Sequence, residues 1–356
     1  MDNLTPSHNN NFDLLRFVAA SLVIFSHSFP LSGNKNEPFS ALSNNQMTMG
    51  SLAVAVFFVV SGYLVTMSYD NSSTIYTFFM KRCLRIFPGL AVVTILTALV
   101  VGPVFSTHAS GQYFLSSSTY TYLFNILLFD IQLGLPGVFR SNPHPDTVNG
   151  SIWTLWYEFV CYLLLMLLGS TRLLNWKVLA TGIVIAIPAV FLNWDVLPLF
   201  WRFHINSFLT PIREYSTYIV FITYFMSGAL IYLLRHIIRL TGTFAGIACL
   251  VLVLSFFFGG FNSVFIFAGS YLLIYLANCS WIPASAFAKH GDFSYGIYIY
   301  AFPVQQMMAI ALGHENVWYT NALFSFPIVL MLAYFSWHFI EKPALLLKKR
   351  IGACVA

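Results

Sequence analysis

Charged side chains are scarce in this sequence. Asp, Glu, Lys and Arg make up 8% of its 356 residues and hydrophobic residues 58%, whereas a soluble domain carries roughly 25% charged residues. So little charge cannot cover a surface in water, which excludes an ordinary soluble domain. The basic residues give a formal net charge of +5, but they form short clusters between apolar runs and not the basic stripe that binds nucleic acid. The composition therefore predicts one membrane domain and no nucleic-acid partner.

Several familiar kinds of site are also missing. The five cysteines lack the paired spacing of a zinc site or a disulfide framework. There is no glycine-rich phosphate loop, no nucleophile-elbow serine and no helix with paired histidines, so no metal is expected. The first apolar run lacks a preceding basic segment and contains Arg16 and His27. It does not resemble a cleaved signal peptide and is expected to remain in the protein.

Long apolar runs are abundant. A helix needs about 20 largely apolar residues to cross a bilayer, and ten runs are interpreted as such helices. The predicted spans are Phe12–Leu31, Met49–Ser68, Ile86–Phe105, Ile152–Leu168, Val178–Trp194, Tyr215–Leu234, Leu240–Phe258, Phe261–Asn278, Tyr295–Leu312 and Trp318–Ile340. The sequence predicts an all-α polytopic membrane protein of about ten transmembrane helices.

The distribution of Lys and Arg predicts the orientation. Short basic loops face the cytoplasm, and this rule is best satisfied if Thr119–Leu133, a short and interrupted apolar run, does not cross. Both termini are then cytoplasmic. Residues 106–151 become an outer segment between the third and fourth spans, whose apolar part is interfacial or re-entrant. If Thr119–Leu133 crossed, the basic cluster 348–350 would lie outside.

The same reading divides the chain simply. Residues 1–345 are expected to form one membrane domain, and residues 346–356 a short basic cytoplasmic tail. No fused extra-membrane domain is expected.

Five ionisable residues lie at predicted membrane depth. Each costs about 2.5 to 3.5 kcal/mol there on insertion scales, so such residues are functional candidates. They must be paired, hydrated or turned toward the interior of the bundle. They are Asp13, Arg16, His27, Arg85 and Glu158.

Helical geometry places two of them on one face. Arg16 and His27 are eleven residues apart, which returns to the same side of a helix at an axial separation of about 16 Å. His27 and Glu158 fall in the same outer half of the bilayer. A neutral imidazole can take a proton from a hydroxyl while a carboxylate orients the ring, which is acyl-transfer chemistry. Alternatively, His27 is a packing residue and Glu158 the partner of a buried Arg.

Arg82 and Arg85 lie one turn apart near the predicted inner surface. Two guanidinium groups so placed suit phosphates. The simpler interpretation is a cytoplasmic basic anchor. Pro88 is expected in the first turn of the third span.

Together these residues resemble the bacterial acyltransferase family 3, the integral-membrane O-acyltransferases of lipopolysaccharide O-antigen, exopolysaccharide and peptidoglycan. The resemblance runs nearly end to end. Its segments are FDLLRFVAASLVIFSH (Phe12–His27), FFVVSGYLV (Phe57–Val65), KRCLRIFP (Lys81–Pro88), SIWTLWYEFVCY (Ser151–Tyr162), FSYGIYIYAFPVQQ (Phe293–Gln306) and FIEKP (Phe339–Pro343).

The resemblance implies acyl-coenzyme A, most often acetyl-coenzyme A, as a cytoplasmic donor. The acceptor would be a hydroxyl of a surface glycan or lipid-linked saccharide beyond the inner membrane. His27 would be the essential histidine, assisted by Glu158, and Arg16, Arg82 and Arg85 would bind the donor. Many relatives have a histidine where this chain has Ala301, so any role of that histidine does not transfer. A relay through an outer-face domain would need a separate partner protein.

Five further residues are expected to bind substrate or support the site. They are Asp13, Ser61, Tyr63, Trp153 and Tyr298.

Two other functions fit parts of the same pattern. A proton-coupled transporter or glycan flippase could use Arg16, His27 and Glu158 as a relay. A polysaccharide polymerase or ligase would instead depend on Arg140, His144 and Asp146 in the outer segment.

Overall fold

The computed structural model describes residues 11–34, 36–191, 210–280 and 291–347. Within these ranges the chain is helical, and its β structure is limited to an isolated bridge between Ser106 and Val138. The α-helices are α1 (Phe12–Leu31), α2 (Pro38–Leu42), α3 (Met49–Asp70), α4 (Ile75–Leu96), α5 (Gly102–Phe105), α6 (Ser110–Leu115), α7 (Ser117–Thr121), α8 (Trp153–Ser170), α9 (Trp176–Val190), α10 (Thr210–Leu233), α11 (Gly242–Phe258), α12 (Phe261–Val264), α13 (Ser270–Asn278), α14 (Ser294–Leu312) and α15 (Trp318–Ser336). The predicted all-α class is confirmed.

Three π-helical turns and two 3₁₀ turns complete the described helices. The π turns continue α4 into α5, α12 into α13, and α15 toward the C-terminus; they are Thr97–Val101, Phe265–Gly269 and Trp337–Glu341. The 3₁₀ turns are Tyr122–Leu127 and Gly313–Glu315.

Helices occur at all ten predicted span positions. Six are long and apolar enough to cross a membrane: Phe12–Leu31, Met49–Asp70, Ile75–Phe105, Trp153–Ser170, Phe261–Asn278 and Trp318–Leu347. Three shorter apolar helices are Trp176–Val190, Thr217–Leu233 and Gly242–Phe258. Ten crossings and the orientation of the chain stay predictions. The end of the predicted span Val178–Trp194 and most of the tail 346–356 lie outside the described residues.

The third predicted span begins earlier than expected. Its helix starts at Ile75, so Arg82 and Arg85 lie inside the helix and not ahead of it. Pro88 is also inside the helix, and its predicted place in a first turn is wrong. The missing N–H of proline costs one backbone hydrogen bond, and more than three turns of helix precede it. The single turn between Arg82 and Arg85 is retained.

The outer segment contains no long helix at Thr119–Leu133. The stretch is divided between α7, a 3₁₀ turn and irregular chain, and Leu128 has a left-handed φ of 56° that ends the turn. Tyr113 anchors the segment, since its hydroxyl donates to the Ala98 carbonyl at 2.7 Å. Burial raises the pKa of Tyr113 to about 12, so the hydroxyl keeps its proton. These breaks agree with a segment that does not cross.

The chain forms two compact units. The first comprises Met1–Ala19, Pro38–Ile75 and Val160–His290. In it, α3 and α10 approach closely, because Gly62 faces the Phe225 carbonyl and Gly228 faces the Val59 carbonyl. Small residues permit this contact between backbones.

An aromatic stack accompanies that crossing. Tyr63 stacks on Phe12 at 5.4 Å and meets Tyr232 edge-on at 5.4 Å. Arg235 lies over the Tyr232 ring at 4.1 Å and forms an ion pair with Asp70 at 3.8 Å. The stack buries Tyr63 almost completely.

The second unit comprises Ala20–Glu37, Tyr76–Phe159 and Gly291–Ala356. Helices α14 and α15 pack side by side here, with Gly296 against Ala333. Ahead of α14, Gly291 has a φ of 119° and the Trp337 indole occupies the position that a Cβ would need. Only glycine fits this approach, and it delivers the chain into α14 beside the π turn that follows α15.

Candidate active site

Helix α14 is the scaffold of the candidate site. Every residue from Ser294 to Gln306 is buried, including residues on all sides of the helix. A spanning helix exposed to lipid would instead present one apolar face to it. Side chains of α14 therefore contact protein in every direction, and three groups of these contacts concern predicted site residues.

The first group is an ion cluster around Arg85. Its Nη2 lies 2.5 Å from Asp292 Oδ2, and its Nη1 lies 3.5 Å from Glu341 Oε2. Ser336 donates to Glu341 Oε1 at 2.9 Å. The guanidinium also lies 5.5 Å from the centre of the Tyr295 ring. The cluster joins α4, the start of α14 and the π turn after α15, and so connects the segments KRCLRIFP, FSYGIYIYAFPVQQ and FIEKP.

These contacts bear on the expected role of Arg85 in binding phosphate. Its side chain is 13% exposed, and Glu341 is 2% exposed. A phosphate approaching Arg85 would have to displace carboxylates that already neutralise it, against their repulsion. Arg82, one turn earlier on α4, is partly accessible. The phosphate site itself stays a prediction.

The second group fixes His27. Its ring meets Phe302 edge-on, with centroids 5.2 Å apart and planes at 76°. Gln305 Nε2 donates to the Ile24 carbonyl at 2.8 Å, which holds this part of α1 against α14. His27 is partly accessible as a residue, but its Nδ1 is fully buried and has no hydrogen-bond partner among the described residues.

An unpartnered buried nitrogen is costly, since desolvating a polar atom without a hydrogen bond costs about 1 to 3 kcal/mol. Such atoms occur where a bound molecule or a reaction requires them. His27 is therefore placed to interact with a ligand.

The third group holds the outer segment. His144 faces the same Phe302, with ring centroids 6.0 Å apart and planes at 72°, and it lies within electrostatic range of His27. Gln306 Nε2 donates to the carbonyls of His144 and Thr147 at 2.8 Å and 2.6 Å. Adjacent glutamines of α14 thus hold the two histidine-bearing segments.

Glu158 lies on α8, beside earlier turns of α14. It is within electrostatic range of Tyr295 and Tyr298, and Tyr298 shares a 2.5 Å hydrogen bond with Thr154 of the same helix. The predicted pairing of Glu158 with His27 is not among the contacts described above. It stays a prediction.

The remaining predicted residues lie apart in the sequence and in their surroundings. Trp153 begins α8 and is 36% exposed. Asp13, Arg16 and Ser61 are partly buried in the first unit, where Tyr63 belongs to the aromatic stack. Arg16 and His27 lie on one continuous helix, as their spacing predicts. The supporting roles stay predictions.

Sequence reasoning missed the partners that position these residues. Asp292 and Glu341 are acids at the ends of apolar runs, and acids are few in this chain; that scarcity was the available signal. Gln305 and Gln306 are amides within an apolar helix, where an unpaired polar group is unfavourable. Residue type alone could not name their acceptors, because these are backbone carbonyls.

The arrangement offers an imidazole but no metal centre. Among the described residues, no three His, Cys, Asp or Glu side chains are grouped to hold a metal ion. An imidazole with an accessible edge can exchange a proton with a hydroxyl.

Comparison with known proteins agrees with this chemistry. A family described as an acyltransferase domain matches residues 9–340. The "O-acetyl transferase" of Shigella phage Sf6 is 30% identical over 345 residues, which cover 94% of this chain and 95% of that protein. "Nodulation protein 10" of Rhizobium leguminosarum bv. viciae is 29% identical over 384 residues, which cover 98% of this chain and 96% of that protein. No solved structure matches significantly.

Proposed function

Since the chain belongs to this acyltransferase family, we propose that it is a bacterial inner-membrane enzyme that transfers acetyl from cytoplasmic acetyl-coenzyme A to a hydroxyl on the outer side. The acceptor is a surface glycan or a lipid-linked saccharide. O-acetyl transfer itself follows from the family and from the phage relative. The donor, the sides of the membrane and the acceptor are the proposal.

The observation that carries the mechanism is the buried, unpartnered Nδ1 of His27. In the proposed step His27 takes the proton of the acceptor hydroxyl as its oxygen bonds to the thioester carbonyl. The C–S bond then breaks, and the coenzyme A thiolate receives that proton from the imidazolium. The imidazole is regenerated, and no other reactant is needed.

Positive charge along the chain supports a donor from the cytoplasmic side. Arg82 binds the coenzyme A phosphates, and Arg16, three turns before His27 on α1, contacts the donor nearer the reaction. Arg85 positions the helices through Asp292 and Glu341.

The two relatives support a saccharide acceptor only in part. One is named for O-acetyl transfer, and the other for nodulation. A proton-coupled flippase remains distinguishable, because it would move its substrate without forming an ester. A polymerase using Arg140, His144 and Asp146 would lengthen a glycan without adding an acetyl mass.

The test is acetyl transfer from labelled acetyl-coenzyme A to envelope glycans in membranes that contain the chain. We expect His27→Ala to lower the rate about 100- to 10,000-fold. His108→Ala is the matched control, because His108 is an exposed histidine of the outer segment. Full activity of His27→Ala at equal protein level would refute the mechanism, and product without an added acetyl mass would refute the reaction.

A further inference from the structure

The imidazole of His144 is not used by the mechanism above, although it faces the same ring as His27. The centroids of His27 and His144 lie 5.2 Å and 6.0 Å from that of Phe302. The two imidazoles are therefore separated by no more than the sum of these distances, about 11 Å. Their separation is comparable with the size of one reacting group.

The position of His144 is held by its backbone. Gln306 binds the carbonyls of His144 and Thr147, and Asn142 donates to Gln306 Oε1 at 2.7 Å. The His144 ring, by contrast, is partly accessible and makes no hydrogen bond to the described residues. A fixed backbone with an uncommitted ring is the arrangement of a preorganised donor.

The span of an acyl-transfer transition state matches this separation. The hydroxyl lies about 3 Å from its base, and the carbonyl oxygen about 3 Å from a donor that stabilises it. With the carbonyl carbon between them, the two ring nitrogens are roughly 8 Å apart. His144 carries at least one N–H in either protonation state, so it can serve as that donor.

Resting on the proposed function, we propose that His144 is a second catalytic residue, whose N–H donates to the carbonyl oxygen as it becomes negative. His27 takes the hydroxyl proton in the same step, the O–C bond forms, and the developing oxyanion is stabilised by His144. When the C–S bond breaks, the carbonyl re-forms and the proton passes from His27 to the thiolate. His144 neither gains nor loses a proton.

The experiment compares His144→Ala, His144→Gln and His108→Ala in the acetyl-transfer assay, at matched protein level and with kcat and KM measured separately. Loss of one oxyanion donor lowers kcat about 100- to 1,000-fold, so we expect this for His144→Ala, with KM for acetyl-coenzyme A changed less than about threefold. Gln retains an N–H donor, so His144→Gln should recover at least about tenfold of that loss. His108→Ala should match the parent protein.

Each outcome decides the proposal. His144→Ala with a kcat within about threefold of the parent overturns it, as does an equal loss in His144→Gln together with a lower Tm, which would indicate a structural role. If His27→Ala is inactive while His144→Ala is normal, only the second histidine fails. If both are fully active, the proposed mechanism fails as well.

Discussion

Arg85 has two carboxylate partners, and its charge is therefore balanced within the protein. Asp292 and Glu341 together carry one more negative charge than Arg85 can neutralise. Removing Arg85 would leave two carboxylates near each other in a buried place. Removing one partner of a buried ion pair typically costs about 3 to 5 kcal/mol.

This charge balance predicts different effects for the two arginines of KRCLRIFP. Arg85→Ala should lower the Tm of the detergent-purified protein by several degrees, whereas Arg82→Ala should leave Tm unchanged and raise KM for acetyl-coenzyme A at least about tenfold. Arg239→Ala, at an exposed position, is the control for loss of one positive charge. If Arg85→Ala raised KM without lowering Tm, Arg85 would be a donor ligand and not a positioning residue.

Among the helices, the crossing of α3 and α10 depends on missing side chains. A Cβ at Gly62 would overlap the Phe225 carbonyl, and one at Gly228 would overlap the Val59 carbonyl. Backbone atoms cannot move aside as the end of a flexible side chain can. The glycine of the segment FFVVSGYLV therefore has a packing role.

Gly62→Ala and Gly228→Ala should each reduce the amount of folded protein and lower its Tm. Gly246→Ala is the matched control, because nothing lies within 4 Å of its added Cβ. This variant should be as stable as the parent or slightly more, since Ala favours helix over Gly by up to about 1 kcal/mol. Size-exclusion chromatography and thermal unfolding in detergent measure both effects. Equal Tm for Gly62→Ala and Gly246→Ala would contradict the close crossing.

For the molecule as a whole, the orientation in the membrane follows from charge and from the broken outer segment. We predict that Ser141 lies outside the cell and that Thr171, in the exposed turn between α8 and α9, lies inside. In a chain whose native cysteines are replaced by alanine, a membrane-impermeant maleimide should label Ser141→Cys in intact cells and Thr171→Cys only after permeabilisation. The reverse pattern would invert the orientation and remove the proposed donor side.

The sequence predicted the elements of this molecule better than their partners. Apolar runs gave helices at all ten positions, because burial from water and backbone hydrogen bonding both act locally. Spacing placed Arg16 and His27 on one helix. It could not show that Arg85 binds Asp292, that Gln305 reaches Ile24, or that His144 faces Phe302. Those contacts join residues far apart in the chain and depend on how the helices pack.

Gln305 and Gln306 project from α14 about 100° apart, and one binds the Ile24 carbonyl while the other binds those of His144 and Thr147. A single residue inserted between Phe302 and Gln305 would turn both amides away from their acceptors and leave the phenylalanine ring where it is. The length of that short stretch is therefore invariant for this architecture. Insertions among the exposed residues near Leu115 carry no such penalty, so the outer loop can diversify while the distance between the imidazoles stays constant.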